Sequence, residues 1–137
     1  MEDEAKKYSV DQKWGAASKA GFSQVPDVLL KAQNALGLSS TELVVLLNIN
    51  MAWWEADRMP FPSAAGIARR MGLGPRTVER AVNSLVDKGL IRKRSISGQR
   101  GRRNVYDLSP LVERLSRISM KDPYYLAQEN GYVGSKE

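Results

Sequence analysis

Two short amphipathic stretches separated by a glycine turn dominate the middle of the chain. The first covers residues 64–71 and follows Ser63, and the turn covers residues 72–74. The second begins at Pro75, repeats apolar residues at helical spacing and ends before Gly89. Ser at an N-cap, Pro at the first helical position and Gly after the last turn are typical helix boundaries. The pattern predicts two helices in close contact, because small residues on the first let the second approach.

A basic pair of strand-like stretches follows the second helix. Residues 90–96 and 104–108 are typical of short strands, and residues 97–103 are expected to form a glycine-punctuated loop between them. A helix, a turn, a second helix and a hairpin indicate a mainly α fold with a small β-hairpin. This order is that of a winged helix-turn-helix.

The remaining apolar segments complete one domain. A helix predicted over 40–58 is apolar on most sides, and a last helix is predicted over 109–118. We assign residues 21–118 to the winged helix-turn-helix domain, residues 1–20 to a flexible N-terminal arm and residues 119–137 to a mobile C-terminal tail. Helices 40–58 and 109–118 are candidate contacts for a homodimer, although each could simply be core.

The positive charge is concentrated in one stretch of the chain. The net charge is +6; residues 69–103 carry +9, whereas residues 1–68 carry −2 and residues 104–137 carry −1. Clustered charge of one sign attracts a polyanion. The alternative is a solvated basic face without a ligand. The coincidence of the cluster with the two helices and the hairpin favours nucleic acid.

The composition excludes several kinds of chemistry. The chain has no cysteine and no histidine, so Cys/His zinc sites, thiol nucleophiles and disulfides are excluded, and the usual general acid–base at neutral pH is missing. No apolar run is long enough to span a membrane, and the N-terminus shows no secretory signal. We expect a cytoplasmic protein that is not an enzyme and has no catalytic residues, metal site or cofactor.

The second helix leaves polar side chains opposite its apolar stripe. In the major groove Arg pairs with guanine, Asn pairs with adenine, and a Thr methyl group can contact the thymine methyl group. The predicted base contacts are Arg76, Thr77, Arg80, Asn83 and Ser84. The predicted backbone and wing contacts are Ser63, Arg69, Arg70, Arg92, Lys93, Arg94, Arg100, Arg102 and Arg103.

Two runs of the sequence resemble a known group of domains. The run PFPSAAGIARRMGLGPRTVERAVNSLVDKGLIRKR resembles the winged helix-turn-helix domain of bacterial regulators and of plasmid and phage replication proteins. The run GFSQVPDVLLKAQNALGLSSTELVVLLNI resembles the N-terminal part of that group, so the resemblance covers about residues 21–118. Gly74 is a departure, since relatives often place Ser or Thr at this cap. The resemblance implies binding to double-stranded DNA.

Three functions are compatible with this domain. The first expectation is a transcriptional regulator of a bacterial or mobile-element operon that binds double-stranded DNA sequence-specifically. The second is a plasmid or phage replication-initiation or accessory protein; such proteins usually add another module, for which residues 119–137 look too short unless the chain is part of a longer protein. The third is a protein–protein interaction module, which predicts a neutral or acidic second helix and hairpin.

Overall fold

The computed structural model describes residues 9–99 and 101–129. In chain order the helices and strands are α1 (Val10–Trp14), a 3-10 helix (Gly15–Ala20), α2 (Asp27–Lys31), α3 (Ser40–Met51), α4 (Ala64–Met71), α5 (Pro75–Asp87), β1 (Arg92–Gly98), β2 (Gly101–Asp107), α6 (Ser109–Ser119) and α7 (Pro123–Glu129). The two strands form one antiparallel sheet. The prediction of a mainly α fold with a small β-hairpin is confirmed.

A hydrophobic cluster joins helices α2 to α6 to the base of the hairpin. Helix α3 contributes Val45, Leu46 and Ile49, each at most 1% exposed. Helix α5 contributes the four buried residues Val78, Ala81, Val82 and Leu85. Because these four recur at helical spacing, α5 buries one stripe and leaves the opposite stripe in solvent.

The helix-turn-helix follows the predicted boundaries closely. The Ser63 hydroxyl accepts a hydrogen bond from the Gly66 N–H at 3.0 Å and caps α4. Gly72 ends α4 with φ +69°, a left-handed conformation that costs glycine little because it has no Cβ. Pro75 is the first residue of α5, and Lys88 is its C-cap. These local signals therefore determine where both helices begin and end.

Helix α3 is shorter than predicted. The helix expected to run to residue 58 ends at Met51. The Trp53 N–H donates to the Asn50 carbonyl oxygen, three residues back, and the Trp54 indole N–H donates to the Met51 carbonyl oxygen. These bonds occupy carbonyls at the end of the helix, and the chain then turns towards α4. The prediction of a helix over 40–58 is wrong in its second part.

The hairpin is more regular than predicted. The strands extend to Gly98 and resume at Gly101, so most of the segment expected as a loop, residues 97–103, is strand. Cross-strand pairing continues to the pair Gly98–Gly101. Gly101 has φ +95°, which a residue with a Cβ adopts only with strain. The loop prediction is wrong because composition does not reveal how far strand pairing continues.

The two terminal segments are partly helical. Residues 10–20 form α1 and the 3-10 helix, and α7 lies within the segment predicted as a mobile tail. The Lys31 ammonium contacts the Asp122 carboxylate at 3.2 Å, which ties the start of this segment to α2. Residues 1–8, Arg100 and residues 130–137 lie outside the described residues. Over 9–99 and 101–129, no helix is long and apolar enough to cross a membrane.

A buried carboxylate connects α3 to α5. The Ser39 hydroxyl and the Glu42 carboxylate exchange hydrogen bonds with each other's backbone N–H, which forms a capping box at the start of α3. The Lys88 ammonium donates to both Glu42 carboxylate oxygens, at 2.7 and 2.8 Å, and to the Gly37 carbonyl oxygen at 2.6 Å. The Ser84 hydroxyl donates to the same carboxylate. We call Ser39, Glu42, Ser84 and Lys88 the Glu42 cluster.

Because of the Glu42 cluster, the stability of the fold varies with pH in the acidic range. Burial by itself raises the pKa of Glu42, but the hydrogen bonds from Lys88, Ser84 and Ser39 outweigh it and lower the pKa to about 2. The ordinary value is 4.5. The folded state therefore gains stability from this carboxylate above pH 4.5, and loses the gain as the pH falls from 4.5 to about 2.

We predict that Glu42→Gln lowers the free energy of unfolding at pH 7 by about 2 kcal/mol, less than the roughly 3–5 kcal/mol for breaking a fully buried ion pair, because Lys88 is partly exposed. Urea unfolding at pH 7, 4 and 2 measures this, and the difference from the wild type should vanish near pH 2. Glu113→Gln, an exposed substitution on α6, is the control. If the two proteins differed as much in free energy of unfolding at pH 2 as at pH 7, the lowered pKa of Glu42 would be contradicted.

Candidate DNA-binding surface

The exposed stripe of α5 contains three of the predicted base contacts. Arg76, Arg80 and Asn83 are exposed and lie at successive turns of the helix, on the side opposite its buried stripe. Thr77 is also exposed and lies next to this stripe in the first turn. The structure thus brings together four of the five residues predicted to contact bases.

Ser84 is placed differently. It is half-buried, and its hydroxyl donates to Glu42 within the cluster that joins α5 to α3. Its hydrogen is therefore used inside the protein, and the side chain lies on the flank of α5 that faces α3. Of the predicted base contacts, this is the one that the structure separates from the exposed stripe.

The register of the hairpin divides its basic residues between two faces. Side chains of directly paired residues point to the same face, and successive residues alternate. The pairs Ser97–Arg102 and Lys93–Tyr106 belong to one face, and the pair Ile96–Arg103 belongs to the other. By the same alternation Arg92 and Arg94 lie on the face of Arg103. Arg100 lies outside the described residues.

The face of Lys93 is turned towards α5. The Lys93 ammonium donates to the Asn83 side-chain oxygen at 3.0 Å, which connects the hairpin directly to the exposed stripe. Arg102 lies on this same face, is exposed, and has no hydrogen bond or ion pair with any residue of 9–99 or 101–129. Lys93 and Arg102 therefore extend the basic surface of α5 along the hairpin.

The opposite face of the hairpin is held by contacts within the protein. The Arg103 guanidinium lies over the ring of Phe61, 4.0 Å from its centroid, although the ring is 53% exposed. The Arg92 guanidinium contacts the Asp107 carboxylate at 3.3 Å. Hydrogen bonds from Ser109 and, to a smaller extent, the contact with Arg92 lower the pKa of Asp107. Both arginines are thus positioned before any ligand binds.

Helix α4 adds polar groups at both of its ends. Ser63 is exposed and caps the helix, as described above. Arg69 and Arg70 are both exposed, and Arg70 donates to the Asn48 side-chain oxygen at 2.8 Å. All three were predicted to contact the DNA backbone. Their exposure leaves them accessible to a phosphate.

Two acidic residues interrupt the basic character of α5. Asp87 is exposed at the last position of the helix, and Glu79 is exposed in its first half. Burial, with a smaller effect of the Glu79 charge, raises the pKa of Tyr106, so this carboxylate lies on the hairpin side of α5. Within the described ranges, no group of acidic residues could hold a metal ion.

Sequence analysis missed the residues that position this surface. The pattern Ser39-x-x-Glu42 is a readable capping-box signal, but Lys88 lies 46 residues further on, and nothing local indicates that it contacts Glu42. Its position within residues 69–103 groups Lys88 with the basic residues of that stretch, although its ammonium group is used internally. Phe61 shows no signal as a platform for Arg103, since an aromatic residue between two prolines resembles an ordinary loop residue.

The arrangement defines the class of the protein. Two helices joined by a tight glycine turn and followed by a two-stranded antiparallel hairpin constitute a winged helix-turn-helix domain. The fold predicted from the sequence is confirmed. Residues 25–123 match the model of the DnaD N-terminal domain family, and the chain belongs to that family.

Three solved structures are similar to the chain. The chain is 29% identical to the N-terminal domain of the DnaD protein from Geobacillus kaustophilus HTA426, with a TM-score of 0.56 over 88% of this chain and 96% of that one. A possible transcriptional regulator from Methanosarcina mazei Go1 is 21% identical, with a TM-score of 0.45 over 77% of this chain and 84% of that one. The transcriptional regulator PA3341 is 19% identical, with a TM-score of 0.42 over 77% and 80%. No curated protein matches the chain.

The contact between Arg103 and Phe61 can be tested independently of any ligand. A double-mutant cycle of Phe61→Leu and Arg103→Met should give a coupling energy of about 0.5–1 kcal/mol in urea unfolding, as for other exposed cation–π pairs. The matched control is the cycle of Phe61→Leu with Arg102→Met. Arg102 lies on the other face of the hairpin, so this cycle should give a coupling energy near zero. Equal coupling for Arg102 and Arg103 would contradict the observed geometry.

Proposed function

We propose that this protein binds double-stranded DNA, with the exposed stripe of α5 in the major groove and the Lys93 face of the hairpin along the phosphates. The observation that carries the proposal is the continuity of Arg76, Arg80 and Asn83 on α5 with Lys93 and Arg102 on the hairpin. Helix and hairpin thereby present one basic surface. A winged helix used only for protein contact would be expected to have a neutral or acidic surface there.

The chemistry of the stripe supports base recognition. An Arg guanidinium donates two hydrogen bonds to the O6 and N7 atoms of guanine. Neither Arg76 nor Arg80 has a hydrogen bond or ion pair with the residues that the structure describes, so both are available to a ligand. Arg76 lies in the first turn of α5, and the N-terminal residues of such a helix commonly contact bases.

The proposed DNA binding is compatible with two biological roles. We propose a transcriptional regulator of a bacterial or mobile-element operon acting in the cytoplasm, without catalytic activity or a cofactor; a replication-initiation or accessory role is the alternative. A homodimer through α3 or α6 remains part of the proposal. Helix α3 exposes Val44 and Met51, and α6 exposes Val112, so each has some apolar surface for a second copy.

A protein–protein contact is a second candidate function. Phe22, Met51 and Trp54 line one exposed groove, and Trp54 is 89% exposed. Exposed aromatic residues are enriched at protein interfaces. Selection of bound sequences from a random duplex library at physiological salt separates the two candidates, because only the first predicts an enriched motif.

Substitution of the stripe tests recognition of bases. Arg76→Ala and Arg80→Ala should each weaken binding to the selected duplex by about 1–3 kcal/mol and relax the preference at particular base pairs. Fluorescence anisotropy titrations against the selected and a scrambled duplex measure this. Arg117→Ala, an exposed substitution on α6, should change neither affinity. If the double variant of Arg76 and Arg80 kept its sequence preference, α5 would not be the reading helix.

The two faces of the hairpin predict that Arg102 and Arg92 contribute differently to DNA binding, although their charges are equal. Arg102→Gln should weaken binding to all duplexes alike and reduce the slope of log K against log salt by about 0.9, the value for one lost phosphate contact. Arg92→Gln should change the slope much less, because Arg92 lies on the other face and already pairs with Asp107. Titrations at several salt concentrations measure both slopes. If Arg92→Gln reduced the slope more than Arg102→Gln, the face of Arg92, and not that of Lys93, would be the one that contacts DNA.

A further inference from the structure

Glu79 is an acidic residue inside the surface that the proposed function assigns to DNA. It is exposed, and it follows Arg76 by three residues and precedes Asn83 by four. Residues at these spacings are neighbours on one side of a helix. In the part of the chain that the structure describes, Glu79 has no hydrogen bond or ion pair. Its carboxylate is therefore not neutralised by the arginines beside it.

An unpaired carboxylate at this position is compatible with DNA only at certain bases. A phosphate repels it, and the guanine edge in the major groove offers only the acceptors N7 and O6. A carboxylate can accept hydrogen bonds but cannot donate them. The amino group N4 of cytosine is a suitable donor. The amino group N6 of adenine is less suitable, because the acceptor N7 lies beside it.

We propose that Glu79 is a specificity-determining residue that accepts a hydrogen bond from the N4 amino group of a cytosine, beside the bases contacted by Arg76 and Arg80. The inference rests on the proposed DNA binding. Glu79 lies on the hairpin side of α5, between the Arg76 and Asn83 turns, so a helix inserted into the major groove by Arg76 and Arg80 would bring its carboxylate to a neighbouring base edge. The carboxylate thus selects against guanine and thymine at that position, because their major-groove edges offer no donor.

The test is selection from a random duplex library with the full chain as wild type, as Glu79→Gln and as Asp87→Asn. Wild type should enrich a motif with one cytosine that Glu79→Gln loses. Because Gln pairs bidentately with adenine, adenine should replace it at that position. Asp87→Asn is the matched control, because it removes the same charge from the same helix. Asp87 lies eight residues after Glu79, or about 12 Å further along α5 at a rise of 1.5 Å per residue. The motif selected by this variant should still contain the cytosine.

Binding constants give the second readout. Replacing the selected cytosine by thymine should weaken wild-type binding about tenfold or more and leave Glu79→Gln nearly unchanged. Since Glu79 is exposed, thermal unfolding of Glu79→Gln should match that of the wild type.

Three outcomes would overturn the inference. An unchanged motif in Glu79→Gln would remove the role of Glu79 while DNA binding stands. An equal gain in affinity for all duplexes would show general repulsion instead of base recognition. A wild type that enriches no motif would overturn both the inference and the proposed function.

Discussion

The ion pair between Glu42 and Lys88 links α5 to α3 beside the hydrophobic core that packs the two helices together. Glu42 lies in the first turn of α3, where the helix dipole is positive, and Lys88 caps the C-terminal end of α5, where the dipole is negative. Each charge therefore stabilises its own helix end while it contacts the other. Hydrogen bonds from Ser39 and Ser84 satisfy the remaining lone pairs of the carboxylate, as a buried charge requires.

Fewer cations of the domain are free to meet a ligand than its sequence charge suggests, because several already have partners within the protein. The paired residues are Arg70 with Asn48, Lys88 with Glu42, Arg92 with Asp107, Lys93 with Asn83 and Arg103 with Phe61. Arg76, Arg80 and Arg102 have no such partner over 9–99 and 101–129. A phosphate or base can meet these three without displacing an existing contact, which is why the proposed interface centres on them.

The sequence predicted the elements whose boundaries depend on local chemistry. Ser63, Gly72 and Pro75 act within a few residues of their own positions, so the limits of α4 and α5 could be derived from caps and turns alone. The length of the hairpin and the end of α3 depend on which backbone groups find partners. Neither strand pairing up to Gly98 nor the bond from Trp54 to Met51 has a compositional signal.

The candidate site was predictable to a similar degree and for the same reason. Helical spacing alone places Arg76, Arg80 and Asn83 on one stripe. It also places Ser84 near that stripe, and only the contact with Glu42 shows that the Ser84 hydroxyl is used internally. Likewise, composition groups all the hairpin arginines together, whereas strand register separates Arg102 from Arg103. Long-range pairing decides these cases, since it depends on the whole fold.

Between pH 5 and 8, the electrostatics of the domain should respond to salt more than to pH. The chain has no histidine, the side chain whose ordinary pKa lies between pH 5 and 8. Glu42, with a pKa of about 2, stays ionised throughout that range and keeps α5 attached to α3. Contacts of exposed arginines with phosphates release counterions and weaken steeply as salt rises. The ion pair that orients α5 is buried and much less screened. Salt should therefore weaken the proposed DNA contacts well before it disturbs the packing of α5 on α3.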